Sequence, residues 1–360
     1  MRCGLAYAAG MDASGQRRGD LLAGSAMGLA LLVATAALLP VPYVSLGPGS
    51  VHDTLGRKDG EPVLTITGRE THPTTGSLHL TTVSVAGGPG SELALPELLS
   101  AWVDPDVSLL RREQLYGRDE TAEQADEQGA AEMTGSQEAA KVAALAELGI
   151  DVEEGLVVAR AAPGTVEEGL RRGDVLLSAE GEPVSEVADL RGAVAGAGAG
   201  GELSLLVRRD GRETEVRAPV QEGPDGSPRL GVVLSPYVMP FEVEFALADV
   251  IGPSAGLMFA LAVVDRLTPG AMTGGRQVAG TGSISPDGQV GVIGGLRQKL
   301  IGAREAGVEF FLAPAAECAE VAGVVPDGLR LVPVSTLGEA RRAVEAIGRG
   351  EVDDLPRCPG

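Results

Sequence analysis

The longest apolar run lies near the start of the chain. Leu21 to Pro40 reads LLAGSAMGLALLVATAALLP, and no charged side chain occurs between Asp20 and His52. At ~1.5 Å per residue such a run spans the ~30 Å hydrocarbon core of a bilayer. The pattern therefore predicts a transmembrane helix over 21–42. Arg17 and Arg18 precede the run, and the next basic residue is Arg57. The excess of positive charge on the N-terminal side places residues 1–20 in the cytoplasm and the bulk of the chain outside, a single-pass arrangement in the cell membrane. A cleaved signal peptide ending at the small residues Ala34, Ala36 and Ala37 is the competing reading, disfavoured by the length of the run.

Downstream the periodicity changes. Residues 43–60 are rich in Gly, Pro and Ser and read as a membrane-proximal linker, while VLTITG and SLHLTTVSV alternate as strands do. Residues 119–147 combine helix formers with charge and read as one or two exposed helices ending near Leu148-Gly149, a spacer; residues 43–135 make one block. Residues 136–222 form one small module, with a strand at Gly155–Val158, a short helix reaching Gly169-Leu170, the run RRGDVLL, a helix near 186–194 and the hairpin LSLLVRRDGRETEVRAPV. Asp210-Gly211 is a strong turn signal in that hairpin. From 229 to 348 strands (LGVVL, FEVEFAL, QVAGTGSI, QVGVI, VEFFLAP) alternate with helical segments (LMFALAVVDRL, LRQKLIGAREAG), and residues 349–360 are a tail. The fold class is thus α+β and multidomain, with an α/β C-terminal domain.

Composition narrows the chemistry. The 360 residues hold 50 Asp and Glu against 29 Lys and Arg, a formal charge of -21, which excludes the basic face that nucleic acid requires. The three His lie no later than His79, and the three Cys (Cys3, Cys318, Cys358) are far apart and odd in number. No metal site and no disulfide scaffold is expected, and Cys318 reads as an inert core residue. Only Lys58, Lys141 and Lys299 are lysines, so nearly all positive charge is arginine.

Three side chains carry candidate chemistry. Ser254 stands in Gly252-Pro253-Ser254-Ala255-Gly256, at the head of an apolar helix. It could cap that helix, or serve as a nucleophile beside unpaired N–H groups able to hold an oxyanion. The G-x-S-x-G spacing also fits a hydrolase elbow, but lipases and esterases need a later His, and none exists. Lys299 shares a helical face with Leu296, Leu300 and Ala303. Its stem could snorkel to water, or its amine could be desolvated and act as a base, which arginine cannot do. Thr281 could orient that amine or simply suit its strand, and Ser283 is a rival for the orienting role.

These motifs support two resemblances. Glu147-Leu148-Gly149-Ile150 with G-L-x-x-G-D-V-L-L resembles a bacterial PDZ domain, whose carboxylate-binding loop would fall on Leu148, Gly149 and Ile150. G-P-S-A-G, G-T-G-S-I-S, G-Q-V and G-G-L-R-Q-K-L resemble the proteolytic domain of Lon proteases over about 110 residues. That resemblance implies Ser254 as nucleophile, Lys299 as general base and Thr281 as the residue touching the lysine. Helix geometry adds the Ser254 and Ala255 amides as an oxyanion pair. The whole arrangement resembles the YlbL-like family of membrane-anchored PDZ proteases. Ile251 stands where ATP-dependent relatives often carry an acid, and no G-x-x-x-x-G-K-[ST] loop is present. The expectation is an ATP-independent serine endopeptidase with a Ser-Lys dyad, acting on flexible protein or peptide substrates without a cofactor, with ring-like homo-oligomers suggested by analogy. A catalytically silent, membrane-tethered PDZ adaptor is the alternative.

Overall fold

The computed structural model describes residues 24–358 apart from 33, 36, 162–168, 224–225 and 248–249. The expected cytoplasmic stretch 1–20 and the first residues of the expected span lie outside the described residues. Between 24 and 37 the described residues are helical, and Met27, Leu29, Leu31 and Leu32 are all exposed. The helix gives way at Leu38, and Pro40–Val41 already pairs with Leu93–Ala94. The helix therefore ends before residue 42, where the Pro-Val-Pro run withdraws N–H donors from any continuing turn. Among the described residues no helix is long and apolar enough to cross a membrane.

The expected linker at 43–60 is instead largely a strand. β1 (Tyr43–Asp53) is followed by β2 (Leu64–Thr67), β3 (Ser77–Ala86) and β4 (Ser108–Arg111). β1 runs antiparallel to both β3 and β4. A single long helix, α1 (Ala122–Glu147), comes next; Thr121 and Gln124 cap it reciprocally, side chain to amide at 3.2 and 3.0 Å. It was expected as an exposed spacer. Its acidic first turns are exposed, but Met133, Ser136, Ala140, Ala143, Ala144 and Leu145 are buried, at the spacing of one helical face, and the helix packs against the core helix α3 described below.

The small module then interrupts the larger fold. β5 (Glu153–Ala161), β6 (Val175–Ala179), α2 (Val187–Ala197), β7 (Glu202–Arg209), β8 (Arg212–Pro219) and β9 (Val232–Val238) build one antiparallel sheet in the order β8–β7–β6–β5–β9. It has a core of its own, with Leu156, Val158, Leu176, Leu190, Leu203 and Val207 among its members. The Arg209 guanidinium forks onto the buried Asp174 carboxylate at 2.7 and 2.6 Å, tying the Gly-Asp turn to the hairpin. The short helix expected before Gly169 falls on 162–168, outside the described residues.

The chain returns as β10 (Glu242–Phe245), which pairs with β2. α3 (Gly256–Leu267), β11 (Gln277–Gly280), the short strands β12 (Ser283–Ile284) and β13 (Val290–Gly291), α4 (Leu296–Glu305), β14 (Phe310–Pro314), β15 (Arg330–Val334) and α5 (Leu337–Arg349) complete it. The main sheet has the order β15–β14–β11–β3–β1–β4, parallel through its first four strands. Strands from before and after the module therefore form one sheet. The blocks 43–135 and 229–348, expected as separate domains, are in this respect one unit, with the module as an excursion from it. Strand β14 is buried at every position and α3 from Gly256 to Asp265, as elements at the centre of a layered α/β core must be.

The inert role expected for Cys318 is also corrected: Cys318 and Cys358, the latter in the 349–360 tail, form a disulfide across 40 residues. Their distance in sequence hid a pairing that the return of the chain past α5 creates. Because α1 belongs to the core, Leu145→Ala is expected to destabilise the protein by about 2–5 kcal/mol in denaturant unfolding; an exposed spacer would leave stability unchanged.

Candidate active site

Ser254 lies in a single 3-10 turn, Pro253–Ala255, that leads into α3. Two close approaches shape this turn. A side chain at Gly129 of α1 would collide with Ile251, and one at Gly256 would meet Ile284 at 2.8 Å and the Ser136 hydroxyl at 2.9 Å. Their absence lets α1 and β12 close on the Ser254 turn from two sides. Ser136 Oγ donates to Pro253 O at 2.9 Å, and Gly252 N–H reaches Gly129 O at 3.3 Å. The spacer helix of the sequence reading is thus a wall of the site, a role that no local motif signals.

Lys299 occupies the second turn of α4. Leu296, Lys299, Leu300 and Ala303 are all buried, as their shared face predicts, and Lys299 itself is 2% exposed. Its neighbour Gln298 is also buried and donates to Ser108 Oγ at 2.7 Å, anchoring α4 to β4. The Lys299 stem does not snorkel: Nζ lies 2.8 Å from Ser254 Oγ and 3.0 Å from Thr281 Oγ1. The Thr281 hydroxyl in turn donates to Ser254 O at 3.0 Å. Thr281 thus bridges the Ser254 backbone and the Lys299 amine, whereas Ser283 Oγ bonds Val292 O at 3.5 Å instead. Burial lowers the pKa of the Lys299 amine to about 8, with the nearby Glu317 carboxylate opposing the shift. An amine so poised can accept a proton from the hydroxyl it touches, the requirement for activating a serine.

Ser254 is partly accessible while Ala255 is buried, and both amides sit in the first turn before α3, where N–H groups lack intrahelical acceptors. Sequence reasoning missed Glu317. It lies in a 3-10 turn, Ala315–Glu317, directly after β14, is 5% exposed, and accepts the Ile293 amide at 3.2 Å. Burial raises its pKa first of all.

Leu148, Gly149 and Ile150, expected at the peptide groove of the small module, follow directly on α1. Leu148 caps the end of α1, Gly149 follows with φ of +67°, and Leu148 and Ile150 pack against the main core. One of the two edge strands of the module is β9, preceded by Leu230 and Gly231, the latter at φ of +66°. Leu230-Gly231-Val232 repeats the apolar-Gly-apolar pattern of Leu148-Gly149-Ile150. A cleft of about 650 Å³ runs between β9 and α1 and reaches Pro286, in the turn between β12 and β13.

Comparison with known proteins places two matching segments on the chain. A model of the PDZ domain matches residues 143–220, and a model described as the Lon protease (S16) C-terminal proteolytic domain matches residues 249–344. The Lon proteases of Rhizobium meliloti and Brucella suis are each 38% identical over 91 residues, 24% of this chain and 11% of theirs. The chain thus matches only 11% of the length of these curated relatives. The PDZ domain of an SdrC-like protein from Listeria monocytogenes is 13% identical and covers 23% of this chain and 88% of its own, at a TM-score of 0.21, a likeness too slight to bear on the fold. β1, β3 and β4 lie outside the segment that matches the Lon model, although they complete its sheet. The chain combines a PDZ domain with a proteolytic domain of the Lon type.

Proposed function

We propose that this chain is a membrane-anchored, ATP-independent serine endopeptidase in which Ser254 and Lys299 form the catalytic dyad. The observation that carries this reading is the 2.8 Å contact between a buried amine and a partly accessible hydroxyl. The neutral Lys299 amine takes the proton from Ser254 Oγ as the oxygen bonds to the carbonyl carbon of a peptide. The Ser254 and Ala255 amides hold the oxyanion. The Lys299 ammonium then returns the proton to the departing amine, and the C–N bond breaks. Water, giving a proton to the same amine, attacks the acyl ester and releases Ser254. Thr281 keeps the lysine head in line through its paired contacts.

Substrate enters along the PDZ domain. The outer edge of β9 offers backbone groups to which an extended peptide adds as a strand, near the Leu230-Gly231-Val232 turn. The cleft between β9 and α1 leads from that edge toward the catalytic hairpin. Without a nucleotide-driven unfoldase, the substrates are flexible or already unfolded chains.

Two observations favour anchoring outside the cytoplasm. The helical residues between 24 and 37 expose apolar side chains that water would penalise and lipid would not. The Cys318–Cys358 disulfide suits an oxidising compartment. External protease added to spheroplasts should digest a C-terminal tag and spare an N-terminal one; the reverse pattern would overturn this orientation.

The catalytic reading is tested on an unstructured protein substrate. Ser254→Ala and Lys299→Arg are each expected to lower kcat/KM by roughly 10⁴-fold or more, with no effect of ATP. The arginine variant matters because it keeps the charge and loses the base. Equal cleavage by wild type and variants would sink the dyad. Because the amine must be uncharged, kcat/KM should climb with pH and level off above about 8; activity unchanged between pH 6 and pH 9 would exclude Lys299 as the base.

A further inference from the structure

Away from the dyad and the PDZ domain, an apolar surface lies where the chain first joins the main fold. Leu38 and Leu39, both exposed, stand between the helical residues of 24–37 and the pair Pro40–Val41. That pair runs antiparallel to Leu93–Ala94, and a short helix, Leu95–Val103, begins at the next residue. The helix packs against Pro40–Val41, β1 and β4. Leu95, Leu98 and Ala101 are half-buried by that packing, whereas Leu99, Trp102 and Val103 are exposed, the last two at 74% each. Positions 99, 102 and 103 share one side of a helix. Apolar residues exposed singly are ordinary, but here three are contiguous and one is the only Trp of the chain. The helix holds no Lys or Arg, and its one carboxylate, Glu97, turns back to accept the Ala94 amide at 2.7 Å.

We propose that Leu95–Val103 is an interfacial helix: it lies on the bilayer surface with Leu99, Trp102 and Val103 in the lipid, and so seats the catalytic unit on the membrane at a second point beside the anchor. The proposal rests on the anchoring reading, yet it can fail separately. Its place commits this face to lipid rather than to protein. On the anchoring reading the chain leaves the bilayer at Leu38-Leu39, and the next two residues are already paired with the strand that opens the helix. Nine helical residues reach only ~13 Å from that pairing, so the helix stays close to the headgroups. A Trp suits that zone, because its ring is apolar while its N–H still finds a polar partner. Attraction to anionic lipid is not the cause, since Asp104 and Asp106 follow the helix and the chain carries a formal charge of -21. Burial of apolar side chains drives the contact instead. An anchor alone lets the catalytic unit swing; a second contact fixes which side faces the membrane.

A single Trp makes this measurable, because the indole fluorescence of the full-length chain reports Trp102 alone. The chain is placed in vesicles of phosphatidylcholine, plain or brominated along the acyl chains. Bromine quenches only a ring that touches it, so emission is expected to fall roughly two-fold in the brominated lipid if Trp102 sits ~5–10 Å into the headgroup and acyl boundary. Leu99→Asp combined with Val103→Asp keeps the Trp and should abolish that quenching, with cleavage of a soluble unstructured substrate unchanged. Equal emission in both lipids, from wild-type chain that stays with the vesicles through an alkaline wash, would overturn the proposal. Emission that varies with protein concentration and not with bromine would overturn it too, since a second copy would then cover the face. Chain removed by the wash would defeat the anchoring reading instead, and the quenching recorded before the wash would still decide the role of the helix.

Discussion

An amine held out of water is the constraint around which this structure is arranged. A lysine on the buried face of a helix cannot keep its proton as readily as one in solvent. The core supplies the desolvation, through Leu296, Leu300 and Ala303 on the same face. Two hydroxyls supply the polar contacts that a bare amine would otherwise lack. Both members of the proposed dyad are set by regular structure. Ser254 heads α3, and Lys299 stands in the second turn of α4, so their separation follows from how two helices pack on one sheet. Sites built that way are held more tightly than sites on free loops.

The sheet that carries those helices is assembled from distant parts of the chain. Thr81 of β3 and Gly280, at the end of β11, lie 199 residues apart, yet the hydroxyl of one reaches the carbonyl of the other at 3.5 Å. The PDZ domain occupies much of the interval. It has its own core, and it is joined to the larger unit by contacts such as Ser235 with Glu138 at 3.0 Å and Arg172 with Glu244. Helix α1 works for both partners. One end of its length abuts the nucleophile loop through Gly129 and Ser136, and Glu138 reaches toward the module.

What could be read from the residues alone follows from this. Ser254, Thr281 and Lys299 were legible because each sits in a short local pattern, and the lysine's burial followed from helical spacing. The contact between them was a matter of geometry, as was the choice of Thr281 over Ser283. That residues before and after the small module share one sheet was not legible, because parallel pairing between β3 and β11 leaves no local trace. The sequence offers two apolar-Gly-apolar triplets, one on each side of the module, and holds no local mark that ranks them. Glu317 gave no signal: Ala-Ala-Glu-Cys reads as an ordinary turn until the fold buries it. The disulfide stayed hidden because an odd cysteine count spread over the chain argues against pairing.

The PDZ excursion leaves and rejoins the catalytic unit at adjacent points, for Glu153 at its start is the cross-strand partner of Val238 at its end. An insertion whose two ends touch imposes little strain on its host. Such a module behaves as a cassette. Lineages could trade one recognition surface for another, by grafting at this seam, while the hydrolytic machinery beneath stayed as it was.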